Sequence, residues 1–153
     1  MNPSAVLSSI RAFRLVGDRL GTAGQPTAEQ LRAVHEAGFV AVINLALPTS
    51  DHALANEGSI VTGMGMAYVH IPVDFQAPKT EDFRAFSRVM RAFEDRPVFI
   101  HCAANMRVSA FVLLHRVLEQ GVPRTEAERD LHAIWRPDAV WSRFIEQQLE
   151  TPS

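Results

Sequence analysis

Two short apolar runs decide most of what this chain of 153 residues can fold into. Val40 to Leu47 is almost continuously apolar, and Pro97-Val98-Phe99-Ile100 leads without a break into His101 and Cys102. A strand with one face in water alternates polar and apolar residues. Unbroken runs predict strands covered on both faces, as in a parallel sheet with helices on either side. Phe13 to Val16, Leu20 to Ala23 and Ala67 to Val73 read as further strands. Helical patterns fill the intervals. Thr27 and Gln30 stand at capping-box spacing ahead of Leu31 and Val34, and Gly38 closes that helix. Pro78 and Thr80 open another, with Phe83, Phe86, Val89, Met90 and Phe93 at helical spacing. Residues 51–64 are expected to form a helix ending near Gly63. Ala110 to Gln120 predicts a helix, and 124–135 and 138–150 two more, with Asp138 capping the last after the break at Pro137. Residues 1–10 are expected as a loose or helical tail. Strands alternating with helices define an α/β fold: one domain over 1–153, with a central, mostly parallel sheet of four to five strands flanked by helices.

The only cysteine sits where such a fold places its chemistry. Cys102 closes the second apolar run. Ala103, Ala104, Asn105, Met106, Arg107, Val108 and Ser109 follow, and then the helical stretch. A lone cysteine in an apolar segment is usually a small buried hydrophobe. An arginine five residues later, at the mouth of a helix, is not explained that way. Backbone N–H groups at a helix N-terminus carry partial positive charge and bind anions. The same field, with His101 and Arg107 close by in sequence, favours thiolate over thiol. Asn105 is the non-glycine residue best suited to a turn with positive φ. Ala103 and Ala104 are small enough for an anion to approach the main chain.

Composition narrows the partners. Apolar residues make up 47% and charged residues 21%, with a formal net charge of −2, so there is no basic face for nucleic acid. A single cysteine excludes an intrachain disulfide and a cysteine-rich metal site, and fits a reducing compartment. Met1 to Leu15 lacks the pattern of a secretory leader, and no stretch has the ~18 apolar residues of a membrane span, which points to a cytoplasmic protein. His35, His52, His70, His115 and His132 are scattered without metal-ligand spacing, so neither a metal nor a cofactor is expected.

His-Cys, a tight loop, Arg and then Ser, between a strand and a helix, resembles the signature loop of the cysteine-dependent protein phosphatases in their tyrosine and dual-specificity form. The resemblance extends upstream. Gly21-Thr22-Ala23-Gly24-Gln25-Pro26 and Gly38 to Leu45 are similar to the opening of small dual-specificity-like phosphatases. Tyr68 to Asp74 resembles their strand leading into the general-acid loop. The chain departs from that pattern at one point: four residues separate Cys102 from Arg107, where the phosphatase loop has five. Val108 stands where the arginine is expected, while Ser109 keeps the register of the hydroxyl residue. A four-residue spacing is that of the rhodanese-type sulfurtransferases, although the rest of the chain does not resemble them.

The resemblance implies a dual-specificity-like fold and a role for each residue. Cys102 is the nucleophile and Arg107 the bidentate phosphate ligand. Ser109 hydrogen-bonds the sulfur, His101 orients the loop, and Asp74 is the general acid. Ala103, Ala104, Asn105, Met106 and Val108 form the phosphate-binding loop. Glu81 and Asp82 are weaker acid candidates, better explained as first-turn acids of a helix. Trp135-Arg136-Pro137-Asp138 lies after the nucleophile and is not the acid loop, and Trp135 and Trp141 are expected in the core. The substrate is then a phosphorylated protein or a small phosphate ester. Two other readings stay open: a sulfurtransferase carrying a persulfide on Cys102, and a pseudophosphatase that binds phosphate without hydrolysing it.

Overall fold

The structure, a computed structural model, describes residues 3–150. Its elements are α1 (Pro3–Ser8), β1 (Arg14–Val16), β2 (Leu20–Ala23), α2 (Ala28–Glu36), β3 (Ala41–Asn44), α3 (Glu57–Gly63), β4 (Ala67–His70), α4 (Thr80–Ala92), β5 (Val98–His101), α5 (Met106–Gln120), α6 (Arg124–Ile134) and α7 (Ala139–Glu150). The five strands form one sheet in the order β1-β2-β5-β3-β4. Only the β1–β2 pair is antiparallel, while β5 pairs in parallel with β2 on one side and β3 on the other. The expected mostly parallel α/β sheet is therefore present, with the Cys102 strand at its centre.

Both faces of the sheet are covered, which is why the runs lack alternation. Val98, Ile100, Ala41 and Ile43 pack on one side, against Phe83, Phe86 and Met90 of α4, Phe111 of α5, Leu131 of α6 and Trp141 of α7. Phe99 and Val42 point to the other side, against Leu7, Leu31, Val34 and Val61 from α1, α2 and α3. Strand side chains alternate between faces. His101 therefore shares the Phe99 face, towards α3, while Cys102 belongs with Ile100 on the α5 side. Helix α5 is buried along most of its length, from Arg107 to His115, as befits the central helix of its layer.

The regular strands are shorter than the apolar runs. Beyond Asn44 and His70 the chain leaves the ladder pattern, but Leu45 N–H still donates to the His101 carbonyl and Val73 N–H to that of Leu45. These bonds carry β3 and the segment after β4 alongside the Cys102 strand without regular pairing. The Thr27 capping box is present, and Asp138 Oδ1 accepts from Trp141 N–H at 2.9 Å, capping α7. Helix α3 ends at Gly63, as expected of 51–64, although it begins only at Glu57. Trp141 is fully buried. Trp135 is only half-buried and lies at the edge of the core, because its indole N–H reaches Ser109. Met1 and Asn2, expected as part of the tail, lie outside the described residues.

One buried polar pair sits far from the carboxyl end of the sheet. His115 Nδ1 lies 3.1 Å from Ser87 Oγ, between α5 and α4. Burial pushes its imidazole down to about 4, with Glu119 opposing and Arg19 and Arg91 reinforcing. A histidine whose folded value is depressed is neutral in the fold, while the unfolded chain takes up its proton near pH 6.5. Its contribution is therefore intact above about pH 6.5 and is lost progressively as pH falls towards about 4. Urea unfolding should show a midpoint that drops between pH 7 and 4.5. His115→Gln should flatten that part of the profile.

Candidate active site

The site is built on the reversal between β5 and α5. Helix α5 starts at Met106, four residues earlier than the pattern of Ala110 to Gln120 suggests. The cause is Asn105, which sits at φ 66° and ψ 1° as the residue before the helix. This left-handed turn lets the chain double back at once, so the loop proper is Cys102 to Asn105. Arg107, Val108 and Ser109 consequently belong to the first turn of α5. This corrects the assignment of Val108 to the loop: its side chain is fully buried in the core. Met106, also the first residue of the helix, does line the cleft with Ala103 and Ala104.

Neighbouring strands hold the loop from below. Cys102 N–H donates to the Ala23 carbonyl at 3.2 Å, and Gln25 N–H donates to the Ala103 carbonyl at 3.1 Å. Asn105 Nδ2 donates to the Ala12 carbonyl at 2.9 Å and to Thr22 Oγ1 at 3.1 Å. Gly24 has a specific steric task here, because a Cβ at that position would lie 2.5 Å from the Ala103 carbonyl oxygen. Its main chain must approach the loop that closely for the two to pair.

Cys102 and Arg107 meet in one cleft of about 290 Å³, lined also by Phe75, Ala103, Ala104 and Met106. Arg107 is 7% exposed. One guanidinium nitrogen donates to the Val73 carbonyl at 2.9 Å, and its carbon lies 5.8 Å from the centre of the Phe75 ring. Nε is buried and has no protein partner. A guanidinium with unused donor capacity is an anion receptor in waiting, since an unpaired buried donor is costly.

Asp74 lies between the two residues that touch Arg107. Its carboxylate is exposed, and Oδ1 accepts from Gln76 N–H at 2.9 Å. The segment is clamped at the next residue, where Trp141 Nε1 donates to the Phe75 carbonyl at 2.7 Å. Asp74 is therefore exposed on a fixed segment, one residue before the Phe75 that lines the cleft. Glu81 and Asp82 are in the first turn of α4 instead.

Ser109 takes a different place from the one the resemblance implies. Its hydroxyl donates to the Met106 carbonyl at 2.9 Å and accepts from Trp135 Nε1 at 3.0 Å. The single hydroxyl proton is thus used within the helix, not on the Cys102 sulfur. The residue ties the first turn of α5 to the segment after α6.

Beneath the loop lies a polar cluster that sequence reading only half detected. His101 Nε2 is 2.6 Å from Glu57 Oε2, and both residues are buried. Gln25 Nε2 donates to the other Glu57 oxygen at 2.8 Å. Asn44 Nδ2 donates to Tyr68 Oη at 3.0 Å. Burial alone would push the Glu57 carboxyl up. The hydrogen bond and charge of His101, with hydrogen bonds from Gln25 and Tyr68, hold it below the usual carboxylate range. For Tyr68 burial dominates over the Asn44 hydrogen bond, and with the Glu57 charge it pushes the phenol up to about 12. Glu57 escaped sequence reading because an acid in the first turn of a helix is ordinary. No local signal marks it as buried.

The geometry can now be set beside known proteins. A family described as a DSP-PTPase phosphatase fused to NAD+ kinase matches residues 18–142. A protein from Shewanella putrefaciens CN-32, classed as a phosphatase (DUF442), is 34% identical. The match covers 94% of this chain and 95% of that one, with a TM-score of 0.83. The beta-lactamase hydrolase-like protein of Agrobacterium fabrum is 31% identical over 117 residues, 74% of this chain. That match spans only 27% of the Agrobacterium protein's length. The P. aeruginosa protein TpbA, solved as a cysteine-to-serine variant with pTyr, shares the fold at 16% identity and a TM-score of 0.62. That match covers 99% of this chain and 94% of TpbA. The chain belongs to the dual-specificity-like family of the cysteine-dependent phosphatases. Among the described residues, no helix is long and apolar enough to cross a membrane.

The junction makes a prediction about stability. Asn105→Ala should destabilise the fold by about 2–3 kcal/mol, combining a left-handed alanine with lost hydrogen bonds. Asn105→Gly keeps the backbone geometry and should cost about 1 kcal/mol, that of the side-chain bonds alone. Equal losses in denaturant unfolding would show that φ at this position is not the constraint.

Proposed function

We propose that the chain hydrolyses phosphate monoesters through a cysteinyl-phosphate on Cys102. The observation that carries this reading is the cleft shared by Cys102 and Arg107, together with a buried guanidinium nitrogen on that arginine that has no protein partner. The Cys102 thiolate attacks phosphorus. The bond to the ester oxygen breaks, and Asp74 gives its proton to the leaving oxygen. Water then attacks phosphorus, the P–S bond breaks, and the Asp74 carboxylate takes the water's proton. Through both steps Arg107 and the first-turn amides of α5 hold the non-bridging oxygens as their charge shifts.

The four-residue spacing is compatible with this chemistry for a geometric reason. Arg107 lies within the first turn of α5 and approaches the cleft from its Phe75 wall. A side chain as long as arginine can meet an anion above Cys102 from that direction. Substrates follow from the walls: Phe75, Met106 and two alanines suit a flat or apolar leaving group. TpbA was solved with pTyr, which makes an aryl phosphate, free or on a protein, the substrate class to try first.

Release of phenol from an activated aryl phosphate tests the proposal. Cys102→Ser and Arg107→Ala should each abolish turnover, with losses of roughly 10³-fold or more. Asp74→Asn should lower kcat by about 10²–10⁴-fold for a poor leaving group and much less for an activated one. Tungstate should raise the melting temperature of the wild type, since a ligand of the native state adds RT ln(1 + [L]/Kd). The shift should vanish in Arg107→Ala. Anion binding without phenol release would leave the pseudophosphatase. Neither binding nor release would favour sulfur transfer, to be tried with thiosulfate as donor.

A further inference from the structure

The cluster under the loop carries an inference of its own, and its effect on turnover rests on the phosphatase reading. Gln25 Nε2 donates to Glu57 Oε1 at 2.8 Å and to the Pro26 carbonyl at 3.0 Å. Two acceptors fix which end of the amide faces Glu57. Oε1 of Glu57 therefore receives an N–H and carries no proton. Its Oε2 lies 2.6 Å from His101 Nε2. The other ring nitrogen, Nδ1, lies 3.2 Å from the carbonyl oxygen of Cys102, which can only accept. Against the push of burial, His101, Gln25 and Tyr68 together hold the Glu57 carboxyl below its usual range, so Oε2 carries no proton either, and each nitrogen of the buried ring faces an acceptor. A histidine that donates from both nitrogens is an imidazolium.

We propose that Glu57 is a positioning residue for the nucleophile, holding His101 as a buried imidazolium tied to the main-chain carbonyl of Cys102. The adjacent thiol is thereby kept as the thiolate. Strand parity makes the arrangement possible: His101 turns to the α3 side and Cys102 to the cleft, so one residue takes the counter-ion and the next meets the substrate. The titratable groups that meet the pair are Tyr68 from β4, which hydrogen-bonds Glu57, and Cys102, whose carbonyl faces His101 Nδ1. Tyr68 stays a neutral phenol through the working range. Glu57 is the acid that touches His101.

Glu57→Gln separates this role from a merely structural one. The new amide can still accept from Gln25 through its oxygen and donate through its nitrogen to a neutral His101. The fold then keeps its partners while the ring needs only one proton. In the wild type at pH 7, the ring nitrogens of ¹⁵N-histidine-labelled protein should both show the protonated signature for His101, and in Glu57→Gln only one should. Iodoacetamide should alkylate Cys102 about 10-fold more slowly in the variant near pH 6, with the two rates converging at alkaline pH. The acidic limb of kcat/KM for an aryl phosphate should move to higher pH by the same factor. A wild-type ring with one bare nitrogen would overturn the proposal, and needs no variant to be seen. An unchanged or faster alkylation of Glu57→Gln would overturn it as well. Neither of these two readouts depends on turnover, so a protein that fails to hydrolyse phosphate still decides the question.

Discussion

The site depends on one backbone event, the reversal at Asn105. A left-handed residue directly before α5 lets the central strand turn into the central helix within a few residues. The candidate site is arranged around that turn. The turn sets the start of α5 at Met106, which puts Arg107 in the first turn, where it lines the same cleft as Cys102. It also explains why neighbouring elements close in so tightly. Asn105 reaches back to Ala12 and Thr22, and Gly24 leaves room where any larger residue would strike the Ala103 carbonyl. The short loop is tied at both its main chain and the Asn105 side chain, to Ala12 before β1, to β2 and to Gln25 just after it.

A second consequence is a division of labour between the faces of the sheet. Apolar packing dominates the α4–α7 side, where Phe111 meets Phe83, Phe86, Trp141 and Phe144. The α1–α3 side is apolar as well, except at the carboxyl ends of the strands. There Asn44 and His101, with Tyr68 two residues further in, share one face: His101 and Tyr68 meet Glu57, and Asn44 bonds Tyr68. Buried polar groups are tolerated in such a place only when nearly all are partnered, and this cluster meets that condition at all but Gln25 Oε1, through donors from β3, β4, β5 and Gln25. The wall made by Phe75, Trp135 and Trp141 works differently, because it clamps the rim of the cleft from the C-terminal helices. The cleft is thus bounded by a segment that the α5–α7 layer holds in place.

Much of the fold was legible before any coordinates. The runs around Val42 and Phe99 announce two-sided burial, and the capping box at Thr27 and the glycine at position 38 bound a helix by local chemistry alone. The loop was legible too, since strand, small residues, Asn, Arg and helix follow one another in the chain. The start of α5 was not. Asn105, Val108 and Ser109 are weak helix formers and blur the start around Met106 and Arg107, whereas the left-handed turn and the buried contacts of Val108 and Ser109 draw the stretch into the first turn. Ser109 shows the same limit: its register matched the phosphatases, yet Trp135, 26 residues later, receives its attention.

What the sequence determined by itself is the order of chemistry along the chain: an apolar strand, a lone thiol, a turn residue tolerant of positive φ, and an arginine entering a helix. These are local properties, written within a dozen residues. The tertiary structure alone decided which distant groups serve them. Val73 and Phe75 steer Arg107, Trp141 fixes the rim, and Glu57 meets His101 across 44 positions of sequence. None of those pairings has a local signature, because they arise from strand order and side-chain parity. Both are set by how the whole sheet buries its two faces.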